Sequence, residues 1–395
     1  MVRKDWNQAT LESLCHAPIT YGVLKPGEYC TNGTPLLQIK DLLGNLDNQE
    51  NIHRISDELD FEYRRSKIQV NDILISLVGT VGRIAIVPAS LDGANIHRNI
   101  GRIRTKNYEF LVHYLNSDVA KNRIGLSSSG SSQSALNLSV LRALKVPVPP
   151  LPEQRKIAKI LSTWDKAIAT TEQLIAASQQ QKKALMQQLL TGKKRLINPE
   201  TGKVFEGSWE EVKLNKCVKF LNGQRKPIKQ EDRANIQGKY PYYGATGIID
   251  YVNDYIFDDE IILLGEDGEN ILSRVLPHVF VVRGKVWVNN HAHVLKANAN
   301  MDTNFLCMYL ESLDYKRYNS GSAQPKINKA VCEKIPVVVP VLAEQQKIAS
   351  VLTAADKEIE LLEAKLAHLK EEKKALMQQL LTGKRRVKVE TTEAA

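Results

Sequence analysis

No stretch of this chain approaches the ~20 apolar residues that a membrane-spanning helix requires. The opening Met1-Val2-Arg3-Lys4-Asp5-Trp6 also lacks the apolar segment of a secretory leader. A cytoplasmic protein with no membrane partner is expected. The five cysteines, Cys15, Cys30, Cys217, Cys307 and Cys332, contain no C-x-x-C pair, so neither a disulfide framework nor a zinc knuckle is indicated. They read as buried thiols. There is no G-x-x-x-x-G-K-[ST] phosphate loop and no G-x-G-x-x-G fingerprint. Asn198-Pro199 is followed by Glu-Thr, without the Pro-aromatic pair of adenine methyltransferases. Glu211-Val212-Lys213 imitates the acid-x-lysine of a metal nuclease but has no convincing upstream acidic partner. His291-Ala292-His293, read as two imidazoles on one face of a strand, could seed a metal site but has no third ligand. No catalytic residue, metal or resident cofactor is therefore expected.

What is present is a duplication. Lys182-Lys183-Ala184-Leu185-Met186-Gln187-Gln188-Leu189-Leu190-Thr191-Gly192-Lys193 recurs residue for residue at 373–384, and Glu153-Gln154 and Asp165-Lys166 recur as Glu344-Gln345 and Asp356-Lys357 at the same offset. Internal repeats decide architecture, so they are read first. Glycine and proline are missing between Pro152 and about Leu190, and again from Ala343 to Leu381, which predicts two long helices. At ~1.5 Å per residue each would be roughly 55–60 Å long.

Apolar positions along both stretches alternate steps of four and three, the seam of a coiled coil. In the first copy the seam runs through Ile157, Leu161, Trp164, Ile168, Thr171, Ile175, Ser178, Lys182, Leu185 and Leu189. In the second it runs through Ile348, Leu352, Ala355, Ile359, Leu362, Leu366, Leu369, Lys373, Leu376 and Leu380. Lys182 and Lys373 occupy the same seam position, where a polar group either fixes register or reaches out to water. Pro149-Pro150-Leu151-Pro152 and Pro340 open the helices; Thr191-Gly192 and Thr382-Gly383 close them, with glycine suited to a left-handed cap. Inserting four residues after Leu189 is expected to change the spacing that the helices set between the segments they join.

The segments before each helix look like globular α+β domains. Ile73–Val78, Ile84–Val87, Ile261–Leu264 and Val286–Val288 are short β-rich runs separated by turn residues. Asp258-Asp259-Glu260 reads as a solvated turn. Weak echoes relate the two domains: Phe110-Leu111 with Tyr114-Leu115 resembles Phe305-Leu306 with Tyr309-Leu310, and Trp6 with Leu11 resembles Trp209 with Leu214.

The net charge of +10, from 54 Lys+Arg against 44 Asp+Glu, favours a phosphate-rich partner. Candidate DNA-contacting residues lie near glycine-marked turns, because Arg, Asn and Gln can read base edges while Lys and Ser position phosphates. In the first domain they are Thr80, Arg83, Arg98, Asn99, Arg102, Arg104, Ser128 and Gln133. In the second they are Thr246, Arg274, Asn289, Asn290, His291, Ser322, Gln324 and Lys326.

Three features together resemble the specificity (S) subunit of type I restriction-modification systems. They are the Pro-x-Pro-Pro-Leu-Pro-Glu-Gln run at 147–154, the Gln188-Leu189-Leu190-Thr191-Gly192-Lys193 helix ending, and the recurrence of this frame after a second variable domain. Tyr243–Ile249, Gly265-Glu266-Asp267-Gly268 and Trp287–His293 resemble target-recognition segments of that family. One departure is Val341-Leu342-Ala343 where Leu151-Pro152 stands in the first copy.

The resemblance implies an α+β chain in which two target-recognition domains alternate with two long helices that pair as an antiparallel intramolecular coiled coil about a pseudo-twofold. The implied layout is 1–148 and 209–339 for the two domains, 149–192 and 340–383 for the helices, 193–208 for a connector, and 384–395 for a basic then polar tail. It further implies a non-catalytic adaptor: each domain reads half of an asymmetric bipartite site, and the helices set the spacer and dock two methyltransferase subunits. Restriction subunits would join that core, and S-adenosylmethionine would sit on the methyltransferase. The alternatives are a self-contained DNA methyltransferase or nuclease, and a structural coiled-coil scaffold without DNA specificity.

Overall fold

The computed structural model describes residues 6–43, 46, 50–128, 135–321 and 324–389. The chain divides into two compact units, Met1–Glu172 with Ala364–Ala395, and Gln173–Glu363. Each unit holds one globular module, the first half of one long helix and the second half of the other. The boundaries therefore fall inside the helices.

In the first unit a four-stranded antiparallel sheet runs in the order Ala17–Tyr21, Ile100–Arg104, Ile73–Ser76, Ile84–Ile86. Ile73-Leu74-Ile75-Ser76 is buried at every position because side chains alternate between two covered faces. Ile73 and Ile75 enter one core, with Trp6, Leu11, Phe110 and Tyr114, whereas Leu74 enters a second core with Leu37, Ile68 and Ile96. A smaller sheet of His53–Ile55, Thr34–Leu37 and Asn95–Ile96 supplies Leu37 and Ile96 to that second core, while its Leu36 and Ile55 pack with Val23 in another cluster. Asn7–Thr10 pairs antiparallel with Lys145–Val148 and so ties the module's beginning to the entry of the first long helix.

The second unit repeats this plan with a larger sheet. Its six strands are ordered Val218–Phe220, Ala292–Ala297, Phe257–Gly265, Val279–Val288, Gln237–Tyr243, Ile248–Val252. Ile262 and Leu264 face one core and Ile261 and Leu263 another, the same alternation as on Ile73–Ser76. Glu210–Lys213 pairs with Pro336–Val339 as Asn7–Thr10 does with Lys145–Val148. Glu211 and Lys213 are thus parts of a closing strand pair. Phe110 and Phe305 lie on matching helices, Tyr108–Asn116 and Thr303–Glu311.

Asp258-Asp259-Glu260 is not a turn but the start of the strand Phe257–Gly265. Asp258 stands opposite Lys285 and Glu260 opposite Arg283, with Arg283 Nε 2.6 Å from the Glu260 carboxylate, while Asp259 is bonded by Lys296. Opposite charges across the ladder keep three acids in an extended run.

The long helices are Leu151–Leu189 and Leu342–Leu380, 39 residues each. Both close on a left-handed glycine, Gly192 at φ 68° and Gly383 at φ 70°. All twenty seam positions are buried or half-buried. In the first unit Ile157, Ala158 and Leu161 share a core with Leu380 and Leu381; in the second Ile348, Ala349 and Leu352 share one with Leu189 and Leu190. Burying each such leucine contributes about 1.5–3 kcal/mol.

Polar contacts repeat the exchange. Lys373 bonds Asp165 in the first unit and Lys182 bonds Asp356 in the second, so each lysine finds its partner on the other long helix. Arg195 Nε and Nη2 grip the two oxygens of Glu344 at 2.6 and 2.7 Å, and Arg386 Nε reaches Glu153 at 2.6 Å. Glu344 and Glu153 are buried at 0% and 2% exposure. A carboxylate so far from water requires a charged partner. That requirement explains why the glutamate recurs at the start of both helices and an arginine three positions after both terminal glycines, while Gln154 and Gln345 recur because each donates to the carbonyl of the proline before its helix, Pro149 and Pro340.

Candidate nucleic-acid interface

In the second module five segments meet at one end of the large sheet. The Gly265–Gly268 turn is central: Glu266 N–H donates to the His291 carbonyl at 2.8 Å, and the Glu266 carbonyl accepts Ile327 N–H at 2.8 Å. Gly268 N–H donates to Pro325 O, and Asp267 forms a bridge with Lys326. Asn289 N–H donates to Tyr243 O, which brings the Gly244–Gly247 turn alongside. Arg225, from the turn after Asn222–Gln224, donates to Glu266 at 2.7 Å and to the carbonyls of Asn290 and Ala292.

This gathering brings together Thr246, Asn289, Asn290, His291, Gln324 and Lys326, of which Asn290, His291, Gln324 and Lys326 are exposed. Asn289 is 4% exposed and accepts the His291 N–H. Glu266 is ringed by Arg225, by His293 Nδ1 at 3.6 Å and by Lys326 Nζ at 3.4 Å. Although burial raises its carboxyl, the bonds and charges of Arg225, His293 and Lys326 leave it below the ordinary carboxylate value. Arg225 and Glu266 were missed as sites from sequence; the only signal was the Gly265–Gly268 motif itself.

The first module carries an equivalent frame. Leu77 N–H donates to Asn99 O and its carbonyl accepts Leu136 N–H, while Val78 bridges Ala135. Leu77 therefore holds the place that Glu266 holds in the second module. The Gly79–Gly82 turn and the His97–Asn99 turn meet here, with Thr80 and Arg98 exposed and Arg83 and Asn99 half-buried.

Three candidate arginines are engaged by the protein itself. Arg102 is 5% exposed and donates to the carbonyls of Pro18, Arg65 and Lys67. Arg104 is doubly bonded to Asp72 and to Lys67 O, and Arg274, at φ 51°, binds Glu311. Ser128 ends the helix Asp118–Ser128, and Gln133 and Ser322 lie outside the described residues.

The two histidines also separate. His291 precedes the strand Ala292–Ala297 and is exposed, while His293 is fully buried with its ring between Asn222 and Ile327 O. Among the described residues no three His, Cys, Asp or Glu side chains gather as metal ligands, and no helix is long and apolar enough to cross a membrane.

Beneath the second cluster His278 is 1% exposed, and neither ring nitrogen has a hydrogen-bond partner among the described residues. Burial, then Arg274 and His293, push its imidazole down from 6.5 to about 4. The unfolded chain holds this proton up to about pH 6.5 and the folded chain only below about 4. Stability is therefore full above 6.5 and lost as pH falls toward and through 4. At pH 5 the loss is about 2 kcal/mol. Urea midpoints at pH 7.5 and 5 should differ by at least this much, and His278→Leu should shrink the difference by about 2 kcal/mol; an unchanged acid limb in the variant would refute the assignment.

Two loop-bearing modules, each completed by halves of a repeated helix, define a duplicated two-module chain. The family model of the type I restriction modification DNA specificity domain matches residues 3–178 and 206–371, and the chain belongs to that family. A Haemophilus influenzae protein named as a type I restriction enzyme specificity subunit is 36% identical over 153 residues, 38% of this chain and 39% of that one. The chain thus spans about two fifths of that relative's length. A Methanocaldococcus jannaschii protein named as the specificity subunit of the type I restriction enzyme MjaX is 27% identical, over 98% of this chain and 95% of its own. The crystal structure of a type I restriction-modification S subunit from M. genitalium shares the fold, with a TM-score of 0.62 at 17% identity, covering 96% of this chain and 97% of that one.

Proposed function

We propose that this chain is the non-catalytic specificity subunit of a type I restriction-modification complex. Each loop cluster reads one half of an asymmetric bipartite site on duplex DNA. The long helices pair antiparallel about a pseudo-twofold, set the spacer between half-sites, and dock two methyltransferase subunits, which restriction subunits join. S-adenosylmethionine and the chemistry on a flipped base belong to the methyltransferase.

The observation that carries this reading is the reciprocal seam. From Asp165 to Lys182 on the first helix, and from Lys373 back to Asp356 on the second, the step is 17 positions each, which supports an antiparallel register. Equal frames with unequal loops, Leu77 against Glu266, then give two unlike readers. Half-sites about one helical turn apart, ~34–36 Å, suit readers held on such a rod. Phosphate contacts supply salt-sensitive affinity.

The test is retention of a random duplex pool by the chain with and without its methyltransferase, followed by sequencing. A two-part sequence of fixed spacing is expected. No sequence preference in the presence of methyltransferase would favour the scaffold alternative, and DNA modified or cut by the chain unaided would favour the enzyme alternative.

A further inference from the structure

Within the second loop cluster most polar groups are already engaged by the protein. Arg225 is held by Glu266 and two carbonyls, and Asn289 by the His291 backbone. His291 differs. Its N–H donates to Asn289 Oδ1 at 2.8 Å and its carbonyl accepts Glu266 N–H at 2.8 Å, so the backbone is fixed from both sides. Its ring Nδ1 lies 2.8 and 3.0 Å from the two oxygens of Asp267. The Asp267 side chain is 18% exposed, whereas the imidazole is 50% exposed.

A carboxylate only accepts, so Nδ1 must carry the proton and donate. In the neutral ring Nε2 is then left as an acceptor. No described residue bonds that nitrogen. An acceptor cannot bind a phosphate oxygen, nor the O6 and N7 of guanine or the O4 of thymine. In the major groove the matching donors are the exocyclic amino groups, N6 of adenine and N4 of cytosine.

We propose that His291 Nε2 reads an exocyclic amino group on one base of the second module's half-site, with Asp267 as its positioning residue. The proposal rests on the DNA-specificity reading above and adds the side chain and the chemistry. Asp267 aligns the ring before DNA arrives, so little ordering remains to be done on binding.

The test selects duplexes from a random pool with the whole chain and its methyltransferase, using the wild type, His291→Ala and Asp267→Ala. The wild type should return one bipartite sequence. His291→Ala should lose preference at a single position of one half-site by roughly 10- to 100-fold, leaving the other positions and the other half-site intact. Asp267→Ala should relax the same position by a smaller factor, because the ring then turns freely. The base selected there by the wild type distinguishes adenine from cytosine.

Intact preference in His291→Ala, or equal weakening at every position, would overturn the assignment while leaving the specificity reading in place. Undiminished binding after removal of that base's amino group, with purine in place of adenine or 2-pyrimidinone in place of cytosine, would overturn the acceptor chemistry. A wild type without any bipartite preference would sink the underlying reading itself.

Discussion

Replacing Arg195 by alanine is expected to destabilise the unit Gln173–Glu363 by about 3–5 kcal/mol, because it leaves a buried carboxylate without its counter-charge. Glu344 is 0% exposed and receives two parallel N–H bonds from that guanidinium. Arg195 also donates to the carbonyls of Gly207 and Glu206 and lies 5.9 Å from the Trp209 ring. The loss should appear in urea unfolding followed through tryptophan as a lower midpoint with an unchanged slope. Adding Glu344→Gln should recover much of it, since the stranded charge is then gone. A cost below about 1 kcal/mol, the range of exposed pairs, would show that the carboxylate finds water or another partner. Arg386→Ala should cost the first unit less, because the Arg386 side chain is 39% exposed.

Lengthening the helix pair by one heptad in each helix, between Glu172 and Gln173 and between Glu363 and Ala364, is expected to move the preferred spacer and leave both half-sites unchanged. Seven residues add ~10 Å, about three base pairs of duplex. Those base pairs also add roughly 100° of twist, which the DNA must absorb. The best new site should therefore bind more weakly than the parental one does to the wild type. The parental site should fall by more than 100-fold. Selection from a random pool measures spacing and half-sites together. Retention of the parental spacing by a folded variant would refute the ruler role of the helices. The insertion belongs at the centre and not after Leu189, the place suggested by the repeat, since Leu189 and Leu190 lie in the second module's core.

The long helices were legible because one apolar stripe and two terminal glycines are local signals. Short β runs such as Ile73–Ser76 were legible for the same reason. What sequence hid was partnership over distance. Arg102 and Arg104 look like surface donors until carbonyls and a carboxylate about 30 residues or more away claim them. Asp258–Glu260 looks like a turn until Lys285, Arg283 and Lys296 stand across the ladder. Arg225 and Glu266 meet 41 positions apart, and nothing in either neighbourhood marks them as a pair. His291 and His293 sit two residues apart, yet one is exposed and the other sealed, because the strand begins between them.

The duplicated helix ending has a consequence for how such chains can change. Leu189-Leu190 and Leu380-Leu381 enter different cores through an identical stretch, and each is followed by an arginine that meets a sunken glutamate. Both modules thus accept the same fitting. The glutamate belongs to the repeated helix itself, so a new head that offers only a hollow for two leucines could be installed at either position without altering the rest of the chain.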